Sequence, residues 1–164
     1  MGTLILITGG TFDKEYNEIS ENLFFRDSHV SEMLKLGRCE LDVHIVKLMM
    51  VDSLYMTDKG RRQIVEKCRR TRHDRVVITH GTGTMVETAR ELAAAKLPRT
   101  IVLTGAMIPY RVVNSDAMFN LGTALAYSQS MPEGVYLAMN GCCFDWNNVK
   151  KNTRLGRFVK TRNC

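Results

Sequence analysis

Two threonines sit in glycine turns that directly follow apolar runs: Thr11 in Thr8-Gly9-Gly10-Thr11 and Thr82 in His80-Gly81-Thr82-Gly83-Thr84. A hydroxyl in such a turn becomes a nucleophile once a neighbouring group takes its proton. Alone, either threonine would read as a turn or N-cap residue bonded to backbone. Two in the same Gly-Thr context favour the nucleophile reading over the turn reading. Tyr16, in the stretch after Thr11, and Lys151, far down the chain, are available proton acceptors if a site depresses their pKa. His80 reads as structural, bonded within its own turn. The glycine turns resemble an anion cradle, but neither G-x-G-x-x-G nor G-x-x-x-x-G-K-[ST] is present, so nucleotide or phosphate binding is only the weaker alternative.

The elements that must position these groups are short apolar runs, each followed by a polar cluster. Residues 76–78 read as a buried strand, broken by the His80 turn. A helix then starts at Thr84 and Glu87, an S/T-x-x-E capping box, and runs to Lys96, before Leu97-Pro98 breaks it. Residues 4–8 read as the first strand and 12–26 as a long loop of the kind that forms lids. Residues 31–36 read as a short helix ended by Gly37. Residues 41–47 alternate as a second strand, with Asp52-Ser53 beyond it, and Thr57 caps a helix to about Arg70. Residues 100–104 form a fourth strand followed by Gly105-Ala106-Met107, Asn114 or Ser115 caps a helix over 116–130, and 135–139 is a fifth strand. Residues 140–164 show no strong pattern. Alternating strands and helices imply βαβ units and a parallel sheet. The expected fold is a three-layer, mainly parallel α/β domain of flavodoxin or Rossmann type. In such a sheet the clusters after the strands share one edge, where ligands bind.

Composition narrows the classes. The chain has 164 residues, 45% hydrophobic and 24% charged, which suits one globular domain with its own core. No apolar run approaches a membrane span, no signal peptide is visible, and Leu6 spoils an N-myristoylation motif at Gly2. The five cysteines, odd in number and without a C-x-x-C, read as reduced thiols in the cytoplasm and give no metal site. The formal charge of +6 is concentrated in Arg61, Arg62, Lys67, Arg69, Arg70, Arg72 and Arg75. Without interleaved aromatics this reads as a solvated helix face with its arginines outward, and not as a nucleic-acid surface.

Taken together, the motifs resemble the bacterial-type L-asparaginase/glutaminase family. The matches are I-T-G-G-T ending at Thr11, D-S at Asp52-Ser53, H-G-T-x-T-M-x-x-T-A from His80, T-G-A-M-x-P from Thr104 with S-D-A-x-x-N from Ser115, and M-N-G around Asn140 with V-x-K ending at Lys151. The resemblance implies the fold of the family's N-terminal domain and an amidohydrolase converting L-asparagine, and by extension L-glutamine, to the acid and ammonia. It implies Thr11 as the nucleophile forming an acyl-enzyme, Tyr16 bonding it, and Thr82 with Lys151 as a second catalytic pair. Ser53 would bind the substrate α-carboxylate, and Gly10, Asp52, Gly81, Gly83 and Ala106 would line the substrate site. No cofactor or metal, no membrane and no nucleic acid is implied; the expected assembly is a homodimer or homotetramer. Residues 1–164 are expected to form a single catalytic domain with no C-terminal domain.

One position departs from the family pattern: Gly83 stands where the resemblance calls for an aspartate that holds the substrate α-ammonium. Losing such a charge-assisted contact costs about 1.5–3 kcal/mol. An impaired, amino-acid-binding relative of the enzymes is therefore the second expectation.

Overall fold

The computed structural model describes residues 2–162. Its strands are β1 (Thr3–Gly9), β2 (Lys14–Asn17), β3 (Asn22–Phe25), β4 (Val43–Val51), β5 (Arg75–Thr79), β6 (Thr100–Thr104), β7 (Gly134–Met139), β8 (Cys142–Asp145), β9 (Lys150–Asn152) and β10 (Arg157–Val159). The α-helices are α1 (Val30–Leu36), α2 (Asp58–Arg70), α3 (Met85–Ala94) and α4 (Ala117–Ser130). The main sheet has the order β4-β1-β5-β6-β7-β8; the first five are parallel and β8 runs antiparallel to β7. Counting only the parallel strands, the order is 2-1-3-4-5, the flavodoxin-like winding.

Both sheet faces are covered, as a parallel sheet requires. Within β1, Leu4 and Leu6 point to one face and Ile5 and Ile7 to the other, following the period of two. The first face packs on α2 and α3 through Ile64, Cys68, Met85 and Leu92; the second packs on α1 and α4 through Met33, Ala117 and Leu121. All of these side chains are buried.

The structure corrects several expectations. Residues 12–26 are not a featureless loop: a 3-10 turn (Thr11–Asp13) leads into the β2–β3 hairpin. Its root is fixed by Asp13, which accepts from Ser28 Oγ at 2.9 Å and His29 N at 3.0 Å. The stretch after 140 supplies β8 and the small β9–β10 hairpin. Gly37 does not adopt a left-handed conformation. The α1 terminus closes with Cys39 N donating to Leu34 O and Arg38 N to Lys35 O, and Arg38 carries the positive φ of 52°. Asp116, one residue later than expected, is the N-cap position of α4, while the Ser115 hydroxyl accepts from Ala117 N at 3.1 Å.

The capping box at Thr84 and Glu87 does not form either. Thr84 is the N-cap of α3 by position, but its hydroxyl donates to Ser53 O at 2.9 Å. Thr57 does cap α2, accepting from Gly60 N at 3.1 Å. On that helix Arg61 is buried, not outward: its guanidinium donates to Met56 O and Asp58 Oδ1 while its stem lies against the domain. Cys164 lies outside the described residues; Cys39, Cys68, Cys142 and Cys143 are free thiols.

Candidate active site

The winding of the sheet reverses between β1 and β5, and that switch point is where an open α/β sheet leaves a crevice. The turns that leave β1, β4 and β5 meet there at backbone distance. Gly10, at φ 81°, lies so close to Gly81 that a Cβ on it would stand 2.4 Å from Gly81 N and Cα. Gly81 in turn lies against Ser53, whose Cβ would be 2.4 Å from a Cβ at position 81. Glycine at 10 and 81 is thus what lets the three turns converge. We expect Gly81→Ala to destabilise the fold by about 2 kcal/mol or more. Gly122→Ala, at a helical position with nothing within 4 Å, should be neutral or stabilise by up to about 1 kcal/mol. Urea midpoints of the two variants check the contrast.

Ser53 is the hub of this convergence. It is buried, its hydroxyl accepts from Gly83 N at 3.1 Å, and its carbonyl accepts from Thr84 Oγ1. Asp52 caps the 3-10 turn Ser53–Tyr55 by accepting from Leu54 N at 2.9 Å, and it forms an ion pair with Lys14 at the start of β2. Burial pushes the Asp52 carboxyl up, but the bonds from Lys14 and Leu54 outweigh it and leave the group below its ordinary value. Lys14 also lies 5.6 Å from the centroid of the Phe25 ring. Asp52 therefore ties the hairpin to the β4 turn and does not face the Thr82 pair as a free carboxylate.

Thr82 follows β5 and is buried, and Lys151 reaches it from β9, donating from Nζ to Thr82 Oγ1 at 2.8 Å. These residues are 69 positions apart in sequence, Thr82 in the turn after β5 of the main sheet and Lys151 on a strand of the small β9–β10 sheet. Burial holds the Lys151 ammonium below the usual lysine range. The pair opens on a cleft of about 470 Å³, lined also by Gly83, Leu54, Arg90 and Lys150.

Thr11 begins the 3-10 turn after Gly10 and is half-buried. Among the described residues its hydroxyl has no hydrogen-bond partner. Tyr16 does not supply one: it sits on β2 opposite Leu23, 56% exposed, its hydroxyl also without a partner among the described residues. The structure thus joins Thr82 to Lys151, and the Gly10 turn to the Gly81 turn and Ser53, but it does not join Tyr16 to Thr11. Ala106 is buried in the turn after β6.

Four residues outside the expected set hold these turns in place. Asp116 accepts from Met107 N and Ile108 N, each at 3.0 Å, and Asn120 donates to Gly105 O at 3.0 Å and accepts from Asn140 N at 3.1 Å. Asn140 accepts from Phe158 N at 3.0 Å, so α4 braces two strand-end turns and reaches β10 through them. Lys14 is the fourth, through Asp52. The signal for Asp116 and Asn120 was the S-D-A-x-x-N motif, with its i,i+4 spacing on one helix face; the sequence carried none for Lys14.

His80 is fully buried beneath the site. Nδ1 lies 2.8 Å from Gly81 O, which can only accept, so Nδ1 carries the proton and Nε2 accepts from Thr88 Oγ1 at 2.9 Å. Burial lowers its pKa to about 4. In the unfolded chain it takes up a proton first, near 6.5. Its contribution to stability is therefore complete above about pH 6.5 and is lost as pH falls towards 4, at no more than about 1.4 kcal/mol per pH unit. Urea unfolding across that range, alongside an imidazole NMR signal that stays neutral to about pH 5, checks the sign.

A protein-family model described as asparaginase, N-terminal, matches residues 3–158. The L-asparaginase of Thermococcus kodakarensis is 43% identical over 86 residues, covering 51% of this chain and 26% of that relative. The probable periplasmic L-asparaginase of Haemophilus influenzae is 38% identical over 164 residues, covering 91% of this chain and 46% of the relative. Among solved structures, the thermostable L-asparaginase of T. kodakarensis superposes with a TM-score of 0.88 at 27% identity, covering all of this chain and 52% of that one. The probable cytoplasmic L-asparaginase of Campylobacter jejuni superposes with a TM-score of 0.84 at 27% identity, covering 97% and 52%. The chain thus spans about half, or less, of the length of these relatives.

Proposed function

Because the chain belongs to the asparaginase family, by the match of that N-terminal model to residues 3–158, we propose that it is an amidohydrolase. It releases ammonia from the side-chain amide of asparagine-type substrates through a threonine ester. The observation that carries this reading is the half-buried Lys151–Thr82 hydrogen bond of 2.8 Å beside the β1/β5 switch point.

In the proposed sequence Thr11 Oγ attacks the amide carbon and gives up its proton, and the amide nitrogen gains one as ammonia leaves. The C–N bond is replaced by a Thr11 ester. Water then adds to the ester carbon, its proton returns to Thr11 Oγ, and the acid is released. Lys151 with its ammonium destabilised by burial, acting through the Thr82 hydroxyl, is the acceptor that activates a nucleophile. Backbone N–H groups of the glycine turns, other than those of Gly10 and Gly83, which are bonded within the fold, stabilise the oxyanion, at about 3–4 kcal/mol per donor. Ser53 holds the substrate near Gly10, Gly81, Gly83 and Ala106, and Tyr16, on β2 of the hairpin that follows Thr11, is the further residue that the resemblance assigns to the nucleophile.

A second reading, reduced turnover of L-asparagine, is favoured by Asp52. The carboxylate that could compensate for Gly83 is engaged by Lys14. Ammonia release from L-asparagine and L-glutamine, measured on the chain itself, tests both readings, and also the expectation that residues 1–164 suffice for catalysis. Assembly as a homodimer or homotetramer, implied by the resemblance, is checked by light scattering. A cytoplasmic location is supported by the free thiols and checked by fractionation. Among the described residues no helix is long and apolar enough to cross a membrane.

A further inference from the structure

The Thr11 hydroxyl has no hydrogen-bond partner among the described residues, so its direction is set by the turn that carries it. That turn, Thr11–Asp13, is clamped at three points. Before it, Gly10 N donates to Val51 O at 2.9 Å. At its centre Phe12 is fully buried, and the Phe12 carbonyl accepts from Tyr110 N at 3.3 Å. At its end Asp13 Oδ1 accepts from Ser28 Oγ at 2.9 Å and His29 N at 3.0 Å, just ahead of α1. The first two clamps use main chain only. The third depends on one side chain and spans the whole β2–β3 hairpin.

Asp13 makes that clamp at a cost to stability. It is fully buried by this chain's own residues, and its Oδ2 has no hydrogen-bond partner among the described residues. Burial raises its carboxyl above the ordinary value. The buried His29 ring turns its Nε2 to the half-buried Glu15 carboxylate, at 3.1 Å from Oε1. A buried polar group left half-bonded lowers stability, and packing alone would favour an apolar side chain. What the carboxylate supplies is an oxygen that grips two donors at once and fixes the turn.

We propose that Asp13 is a positioning residue: it holds the Thr11–Asp13 turn against Ser28 and His29, and so fixes the direction of the Thr11 hydroxyl beside the β1/β5 switch point. The proposal rests on reading Thr11 as the nucleophile of an amide-hydrolysing site.

Asp13→Ala removes the clamp, Asp13→Asn keeps an oxygen acceptor in its place, and Ser28→Ala removes one of the two donors. Two readouts are taken on the intact chain: ammonia release from L-asparagine, and amide hydrogen exchange by NMR. Asp13→Ala should lower kcat about 10²-fold with KM changed less than about threefold, the cost of a nucleophile displaced by about 1 Å. Asp13→Asn should stay within about threefold of the parent, and Ser28→Ala should lose at least about threefold. Exchange of the Gly10 and Tyr110 amides, whose own partners are untouched, should rise at least about tenfold in Asp13→Ala and about threefold in Ser28→Ala, with β5 as protected as in the parent. Parent-like kcat or exchange in Asp13→Ala, an Asp13→Asn loss as large as that of Asp13→Ala, or a KM rise matching the kcat fall would each overturn the proposal. If Asp13→Ala does not fold, Ser28→Ala decides by the same two readouts. Loosened Gly10 and Tyr110 amides in a chain whose parent releases no ammonia would support the clamp on Thr11 and refute the hydrolase reading, so the two failures are distinguishable.

Discussion

Thr11→Ala should abolish ammonia release, lowering kcat by at least about 10³-fold, while leaving the urea midpoint within about 0.5 kcal/mol of the parent. The structural reason is the position of the residue. Thr11 is delivered by Gly10, which is held by its N–H bond to Val51 O at 2.9 Å and by its contact with Gly81. Its hydroxyl makes no hydrogen bond among the described residues, so truncation removes chemistry and little packing. Thr11→Ser keeps the oxygen and should retain a measurable fraction of the rate. If Thr82 were the primary nucleophile instead, Thr11→Ala would still accumulate an ester, and the loss would be confined to one half of the reaction.

Lys151→Met should lower kcat by about 10²–10⁴-fold, with Thr82→Val causing a loss of similar size. The double variant should be little worse than either single one, because residues that act as a unit fail together. Lys151 donates to Thr82 from a position where burial disfavours its charge, so its neutral form is populated below the ordinary lysine value of 10.5. The neutral amine is the active form, so kcat should rise with pH through that lowered pKa and the rise should vanish in Lys151→Met. A kcat–pH profile on the parent and the variant checks both the direction and the assignment. Strictly additive losses in the double variant would show that the hydrogen bond is not a catalytic unit.

How much of this was legible in the sequence follows from the physics of each element. The buried strands β1, β5, β6 and β7 were readable because a strand covered on both faces is a continuous apolar run, and each ends in glycine or a polar cluster. The β2–β3 hairpin was not readable. Its residues are half-buried or exposed on both faces, so no alternation marks it. The β9–β10 pair fails for a different reason: each strand has only three residues, too few to show a period, even though Phe158 is buried. Arg61 was misplaced because composition records a charge and says nothing of a long stem that covers apolar surface.

At the site, the residue types were legible and the couplings only in part. The family resemblance implied a pairing of Thr82 with Lys151, and the structure brings them to 2.8 Å. The same reasoning paired Tyr16 with Thr11, and the hairpin instead holds Tyr16 out in solvent. That Lys14 would claim Asp52 depends on a contact across 38 residues, which no local pattern encodes. The stacking of Gly10, Gly81 and Ser53 is likewise a product of the 2-1-3-4-5 winding. It follows from the fold once the fold is known.

The most direct test of the proposed threonine-ester hydrolysis is to quench the chain in acid during incubation with L-asparagine, then locate any covalent adduct by peptide mass mapping. The account predicts an acyl group on Thr11, absent in Thr11→Ala and accumulating in Lys151→Met. An adduct on Thr82 alone, or ammonia release from the folded chain that proceeds with Thr11 removed, would contradict it.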